Sequence, residues 1–212
     1  YLDKLDRKLT DEGFNGSFYV IRSDGGVAGT EKAKRQAEST ILSGPAAGVR
    51  GSQAIGEAVD QSNVIGMDMG GTSTDVSLIE EGEPLITTEY EVKFDIPLVK
   101  PMLDVTTIGS GGGSIAWIDD GGSLRVGPQS AGADPGPVCY DMGGTEPTIT
   151  DANLVLGRLD PETFLGGKRT LNEDAAHSAI ENLADQLEMD VLEAAEGILK
   201  IANENMAAAV RE

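Results

Sequence analysis

A single cysteine, Cys139, and a single histidine, His177, stand in 212 residues. One cysteine excludes an internal disulfide and suits a reducing compartment, so a cytoplasmic protein is expected. Cys139 itself reads as a buried small hydrophobe. One histidine excludes a multi-histidine metal site within the chain; His177, in a polar helical stretch, reads as a surface or packing residue. Aromatic residues make up 4%, and the only tryptophan, Trp117, is expected in the core. Basic residues are also scarce: 16 Lys and Arg face 36 Asp and Glu, for a net charge of -20. Such a balance argues against nucleic acid as a partner, because no basic patch is left to meet phosphates. The acid is dispersed through helices and loops, not gathered in a tail, which fits a protein living in concentrated salt better than an ordinary acidic one. No apolar run approaches the roughly 18 residues of a membrane span, and no leader peptide is evident. There is no G-x-x-x-x-G-K-[ST] loop, and "GSGGGS" at 109–114 lacks the last glycine of a dinucleotide fingerprint.

What is present is organised as strands first and helices afterwards. The opening "YLDKLDRKLTDEG" reads as a helix stopped at Gly13, and a chain beginning inside a helix without Met is expected to be an internal piece of something longer. A strand at 17–21 turns at Asp24-Gly25-Gly26, and a small-residue helix runs from about Ala46 to Val59. Strands are expected at 63–69, 75–80, 84–93 and 103–108, then near 114–118 and 124–126 within a Gly- and Pro-rich middle. Three helices close the chain: one capped by Thr150, one starting at Asn172, and one opened by Asp190 with Glu193. These elements predict an α/β or α+β layer fold, with helices on one side of a mixed sheet, and α/β is the class expected. The expected parts are a sheet region at 14–108, a glycine-rich β insertion at 109–147 and a helical part at 148–212.

The stretch "GMDMGGTSTDVSLI", residues 66–79, carries the chemistry. An apolar strand delivers Asp68 into a turn of Gly70, Gly71, Thr72, Ser73 and Thr74, and a second strand leaves from Asp75. Glycines let backbone N–H groups approach a ligand closely, and hydroxyls add neutral donors. Together they suit phosphate oxygens, while Asp68 suits Mg2+ or its water shell. Asp75 reads either as a carboxylate behind that metal or as one that hydrogen-bonds the turn. "SGPAAG" at 43–48 reads equally as a helix N-terminus beside the site or as a tight packing turn. The loop Gly109–Ser114, with Gly111, Gly112, Gly113 and Ser114, and the turn Asp134–Pro137 read as structural turns, as an interdomain contact or as the substrate end of a site. Glu146 and Asp151 are acid/base or metal candidates, a solvated cap being the better reading for Asp151.

The D-x-G-G-T-x-T-D order resembles the phosphate-binding hairpin of the actin, hexokinase and Hsp70 ATPase superfamily. More narrowly the chain resembles the hydantoinase/oxoprolinase family. The matching stretches are "SGPAAGV" (43–49), "GMDMGGTSTDVSLI" (66–79), "DVTTIGSGGGSIAWID" (104–119), "LRVGPQSAGADPGPVCY" (124–140), "GGTEPTITDANLVLGRLDP" (143–161) and "IANENMAAAVRE" (201–212). Ser110 departs from the alanine common in the family.

The resemblance implies a ribonuclease-H-like, actin-like ATPase half. It implies ATP and Mg2+ as cofactors, with catalytic roles for Asp68 and Asp75 and phosphate binding by Gly70 to Thr74. The activity implied for the whole protein is ATP-dependent opening of a cyclic amide, a hydantoin or 5-oxoproline, by phosphorylation of the amide oxygen. Rival activities are a ketone carboxylase subunit and a non-catalytic nucleotide-binding module. A hydantoinase B-type subunit is the implied partner. Family members carry an upstream hairpin and a downstream G-G-A-G-P-type segment that these 212 residues do not contain, so the chain alone is expected to be inactive.

Overall fold

The computed structural model describes residues 1–92 and 96–211. Within them the chain divides into two compact units: Tyr1–Asp68 with Asp75–Thr106, and Met69–Thr74 with Thr107–Glu212.

The first unit opens with α1 (Leu2–Asp11), which buries none of its residues. A hairpin of β1 (Tyr19–Ile21) and β2 (Val27–Gly29) follows, with Val20 opposite Ala28. Its turn is closed by the Gly26 N–H donating to Asp24 Oδ1 at 2.9 Å, and Gly25 sits at φ +74°, a region that glycine enters without penalty. After α2 (Thr30–Arg35), α3 (Ser43–Ala58) starts three residues before its expected first residue, Ala46, because Pro45 is well placed in a first helical turn. Strands β3 (Val64–Met69), β4 (Thr74–Glu80) and β5 (Glu83–Pro84) lie side by side in that order. β4 and β5 are joined through Glu81 and Gly82, both at positive φ, as a two-residue hairpin requires. β6 (Ile86–Val92) pairs antiparallel with β7 (Ile96–Leu103), and β8 (Thr106–Ile108) stands at the division. The expected strand over 84–93 includes residue 93, which lies outside the described residues. Ala46, Val49, Ile79 and Leu103 form this unit's core.

In the second unit β9 (Ser114–Ile118) pairs antiparallel with β10 (Leu124–Ser130). Helices α4 (Ile149–Val155), α5 (Glu173–Leu187) and α6 (Val191–Arg211) pack on one another. Ala116 and Val126 from the strands join Ile149, Ile180, Leu183, Ile198 and Leu199 in one core. A smaller cluster gathers Cys139, Leu154, Leu171 and Ala176.

The α/β class is observed, but the one mixed sheet is not: the strands form several small sheets, antiparallel where paired across β1–β2, β4–β5, β6–β7 and β9–β10. Irregularities between Thr87 and Glu89 and between Val126 and Ser130 interrupt the ladders. Among the described residues no helix is long and apolar enough to cross a membrane.

Candidate functional site

In the first unit, α3 lies over β3 and β4 through its smallest residues. A Cβ on Gly66 would fall 2.5 Å from Ser77 Oγ and 2.9 Å from Ser52 Oγ, so only glycine lets the helix and strands approach this closely. The remaining space is a cavity of about 260 Å³ lined by Pro45, Gly48, Gly51 and Ser52 of the helix and by Asp68 and Asp75 of the strands. Both expected carboxylates therefore face one cavity. Asp68 is exposed and Asp75 half-buried, and a Cβ on Gly48 would meet Asp68 Oδ2 at 3.5 Å, ordinary contact. "SGPAAG" is thus the first turn of a helix whose side borders both aspartates.

The turn between those strands belongs to the second unit. Gly70 N–H donates to Ser73 O at 2.8 Å and closes it. From behind, the loop 109–114 is laid along it: Gly112 N–H donates to Gly70 O at 2.9 Å and Gly113 N–H to Gly71 O at 2.6 Å. Gly111 presses closest. A Cβ there would lie 2.6 Å from Ser73 N and 2.7 Å from Thr72 N, backbone atoms with no flexible end to give way. The brace continues outward, because Gly112 O accepts the N–H and the hydroxyl of Thr150, each at 2.9 Å. Ser114 Oγ accepts from Gly111 N–H at 2.9 Å and fixes the loop's own bend. With the carbonyls of Gly70, Gly71 and Ser73 engaged, Gly71, Thr72 and Ser73 keep N–H groups that no acceptor among the described residues takes. An oxyanion suits such a donor set.

Thr74 has a different place from Thr72. It is 0% exposed, and its hydroxyl donates to Ser110 O at 2.5 Å, so that proton is committed to the brace and is not offered to phosphate. Thr150 is likewise not the helix cap. Thr148 caps α4, its hydroxyl accepting the Asp151 N–H, and Asp151 returns a bond to the Thr148 N–H at 2.9 Å, a reciprocal capping box. The Thr148-x-x-Asp151 spacing carried that signal.

Asp151 is not solvated, contrary to expectation, but 0% exposed. It also accepts from Cys139 N–H at 2.8 Å, Val138 N–H at 3.2 Å and Thr148 Oγ1 at 2.7 Å. All its neighbours donate to it, so it is a structural acceptor and not a general acid. Burial, aided by the Asp151 charge, pushes the Cys139 thiol far above its ordinary value, which leaves it protonated and inert. Glu146 and His177 are exposed. Trp117 is not a core residue: it is 37% exposed, held by its Nε1–H donating to Gly127 O at 2.7 Å. Among the described residues no group of three or more His, Cys, Asp or Glu is placed to hold a metal.

This arrangement has known relatives. The chain is 44% identical to the acetophenone carboxylase gamma subunit of Aromatoleum aromaticum, over 96% of its own length and 28% of the relative's. It is 40% identical to the caprolactamase subunit alpha of Pseudomonas jessenii, over 100% of its length and 30% of the relative's. The crystal structure of that ATP-dependent caprolactamase superposes with a TM-score of 0.81 at 40% identity, over 100% of this chain and 30% of that one. A nucleotide-free structure of acetone carboxylase, described as carrying out ATP-dependent acetone carboxylation, gives 0.87 at 34% identity, over 99% of this chain and 29% of that one. The chain spans between 15% and 32% of the length of these and other curated relatives it matches. The sequence profile of Hydantoinase/oxoprolinase matches residues 1–212, and the chain belongs to that hydantoinase/oxoprolinase family.

Proposed function

We propose that residues 68–75 are the phosphate-gripping hairpin of an ATP-dependent enzyme that opens a cyclic amide, built on an actin-like, ribonuclease-H-like half. The observation that carries this reading is a turn whose N–H groups at Gly71, Thr72 and Ser73 meet no acceptor among the described residues while the carbonyls of Gly70 and Gly71 are held by Gly112 and Gly113. Gly71, Thr72 and Ser73 hold phosphate by backbone N–H and hydroxyl donors, while Gly70, whose N–H is given to Ser73 O, and Thr74 keep the turn in place. Neutral donors of this kind tolerate polyanionic phosphate even in a chain of net charge -20. Asp68 orients Mg2+ or the attacking oxygen, and Asp75 stands behind it. ATP, when bound, supplies the phosphoryl group that activates an amide oxygen. The chain's part is positioning and charge stabilisation, which dominate this class of reaction. A cytoplasmic, salt-adapted protein working with a hydantoinase B-type subunit completes the reading; the two curated relatives above are themselves named as subunits.

Asp68→Asn in the full-length protein tests it. The change is nearly isosteric and removes only charge, so ATP turnover should fall by at least ~100-fold with the fold intact. Undiminished turnover would end the assignment. A second reading, a ketone carboxylase subunit, is favoured by the 44% identity to acetophenone carboxylase. ADP release measured with hydantoins, lactams and ketones plus bicarbonate separates the two, and silence with every substrate would point to a non-catalytic nucleotide-binding module.

A further inference from the structure

A second cavity, of about 490 Å³, lies wholly in the second unit, among Ile108, Ser110, Trp117, Arg125, Pro128 and the α6 residues Ile201 and Asn205. Its volume is in the range of small-molecule sites, and its make-up is theirs too: apolar walls with a few polar groups. Trp117 and Arg125 are directly opposite one another on β9 and β10, so both side chains stand on one face of that pair. Ile201 and Asn205 are one helical turn apart on α6, so both present on one side of it.

Three polar groups are available here. Arg125 uses only Nε, donating to Asp119 Oδ2 at 2.7 Å, and its four remaining N–H donors have no partner among the described residues. Asp119, whose Oδ1 also accepts from the N–H groups of Gly121 at 3.0 Å and Ser123 at 2.9 Å, offsets part of the guanidinium charge but leaves its two Nη groups to hydrogen-bond a second carboxylate. Asn205 is exposed. Ser110, on the loop that braces the hairpin, is 3% exposed, and its hydroxyl has no hydrogen-bond partner among the described residues. A buried hydroxyl left unpaired is costly, and a ligand acceptor would relieve it. In a chain where acid outnumbers base 36 to 16, an arginine with free donors beside a tryptophan and two isoleucines is a selective feature.

We propose that this cavity binds a small organic carboxylate with an apolar body, the carboxylate on the Arg125 guanidinium with Ser110 and Asn205 beside it, the body against Trp117, Ile108 and Ile201. The proposal does not depend on the nucleotide reading, since none of these residues is assigned to phosphate or metal.

Isothermal titration of the full-length protein with hexanoate, hexanamide and hexanol, at fixed ionic strength, tests it. Hexanoate should bind at least ~10-fold tighter than the two neutral analogues, and Arg125→Gln should remove that preference, the scale of hydrogen bonds to one charged group. Arg125 is mostly exposed, so the substitution leaves folding intact. Equal affinity for acid and amide, a preference that survives in Arg125→Gln, or no heat with any of the three would each overturn the proposal; the last would mean that another part of the full-length protein fills the cavity.

Discussion

Removing the Asp151 carboxylate should destabilise the second unit more than any other single polar change among the residues described above. Its two oxygens serve the N–H groups of Val138, Cys139 and Thr148 and the Thr148 hydroxyl, at 2.7 to 3.2 Å, in a site with no solvent exposure. These bonds tie the turn at 138–140 to the start of α4, elements whose apolar residues Cys139 and Leu154 share one cluster. In Asp151→Ala all these donors stay buried without an acceptor, and each left so costs about 1–3 kcal/mol before relaxation. Water entry and local shifts recover part of that, so the expected loss is about 3–5 kcal/mol, the usual scale for breaking a buried charged network. For a chain of this size, ~1 kcal/mol moves the melting temperature by about 2–4 °C, so the midpoint should drop by roughly 6–20 °C. Asp151→Asn should still lose at least ~2 kcal/mol, because its carboxamide nitrogen would face donors. Trp117, the only tryptophan, lies in the same unit, so its fluorescence in a guanidinium titration reports the transition directly. A loss below ~1 kcal/mol for Asp151→Ala would refute the argument that these bonds anchor the turn.

Gly111→Ala forces a Cβ to within 2.6 Å of Ser73 N, so the turn must move; ATP turnover of the full-length protein should fall by ~10–100-fold, the sensitivity expected of ångström misplacement, and normal turnover would show that the brace is dispensable. Native Cys139 should resist iodoacetamide at pH 8 and react only after unfolding, because burial raises its thiol; fast labelling of the folded chain would contradict this. The Asp119 carboxyl should titrate below the ordinary aspartate range by NMR, held down first by the Ser123 N–H and then by Arg125. Its stabilisation is therefore present above the unfolded value and fades as pH falls through the folded one, and an unshifted midpoint would remove it. Molar KCl should raise the melting temperature, since a Debye length of about 3 Å at ~1 M screens the repulsion behind a net charge of -20; a flat or falling curve would dismiss salt adaptation.

Local signals in the sequence served well where they were short-range. Asn172 caps α5 through a bond to Ala175 N–H, and Asp190 with Glu193 opens α6, both read from neighbouring residues alone. The hairpin was legible because its glycines and hydroxyls are contiguous. β7 was not, since Pro97 and Pro101 argue against a strand; Pro101 falls at the irregularity between the Met102 and Val99 pairings, a place where a strand tolerates proline. The Thr148-x-x-Asp151 spacing already favoured Thr148 as the cap of α4, but the bond of Thr150 to Gly112 is a long-range contact that only the fold shows. Nor does any local pattern say that Gly112 and Gly113 reach back to Gly70 and Gly71: the brace is a long-range pairing, visible only once the chain has folded.

The assignment of Met69–Thr74 to the second unit, with its flanking strands in the first, bears on how such a protein can be cut or shuffled. The backbone passes from one unit to the other at 68/69, 74/75 and 106/107, so neither unit is a contiguous gene segment. A recombinant piece beginning at Thr107 would carry the glycine loop but lose the carbonyls of Gly70 and Gly71 to which that loop is bonded. Grafting the loop without the hairpin, or the hairpin without the loop, leaves half of an interlocked pair. Exchange between homologues should therefore be tolerated wherever glycine stands at 111, because the bonds that interlock the two segments are made by backbone groups that any parent supplies.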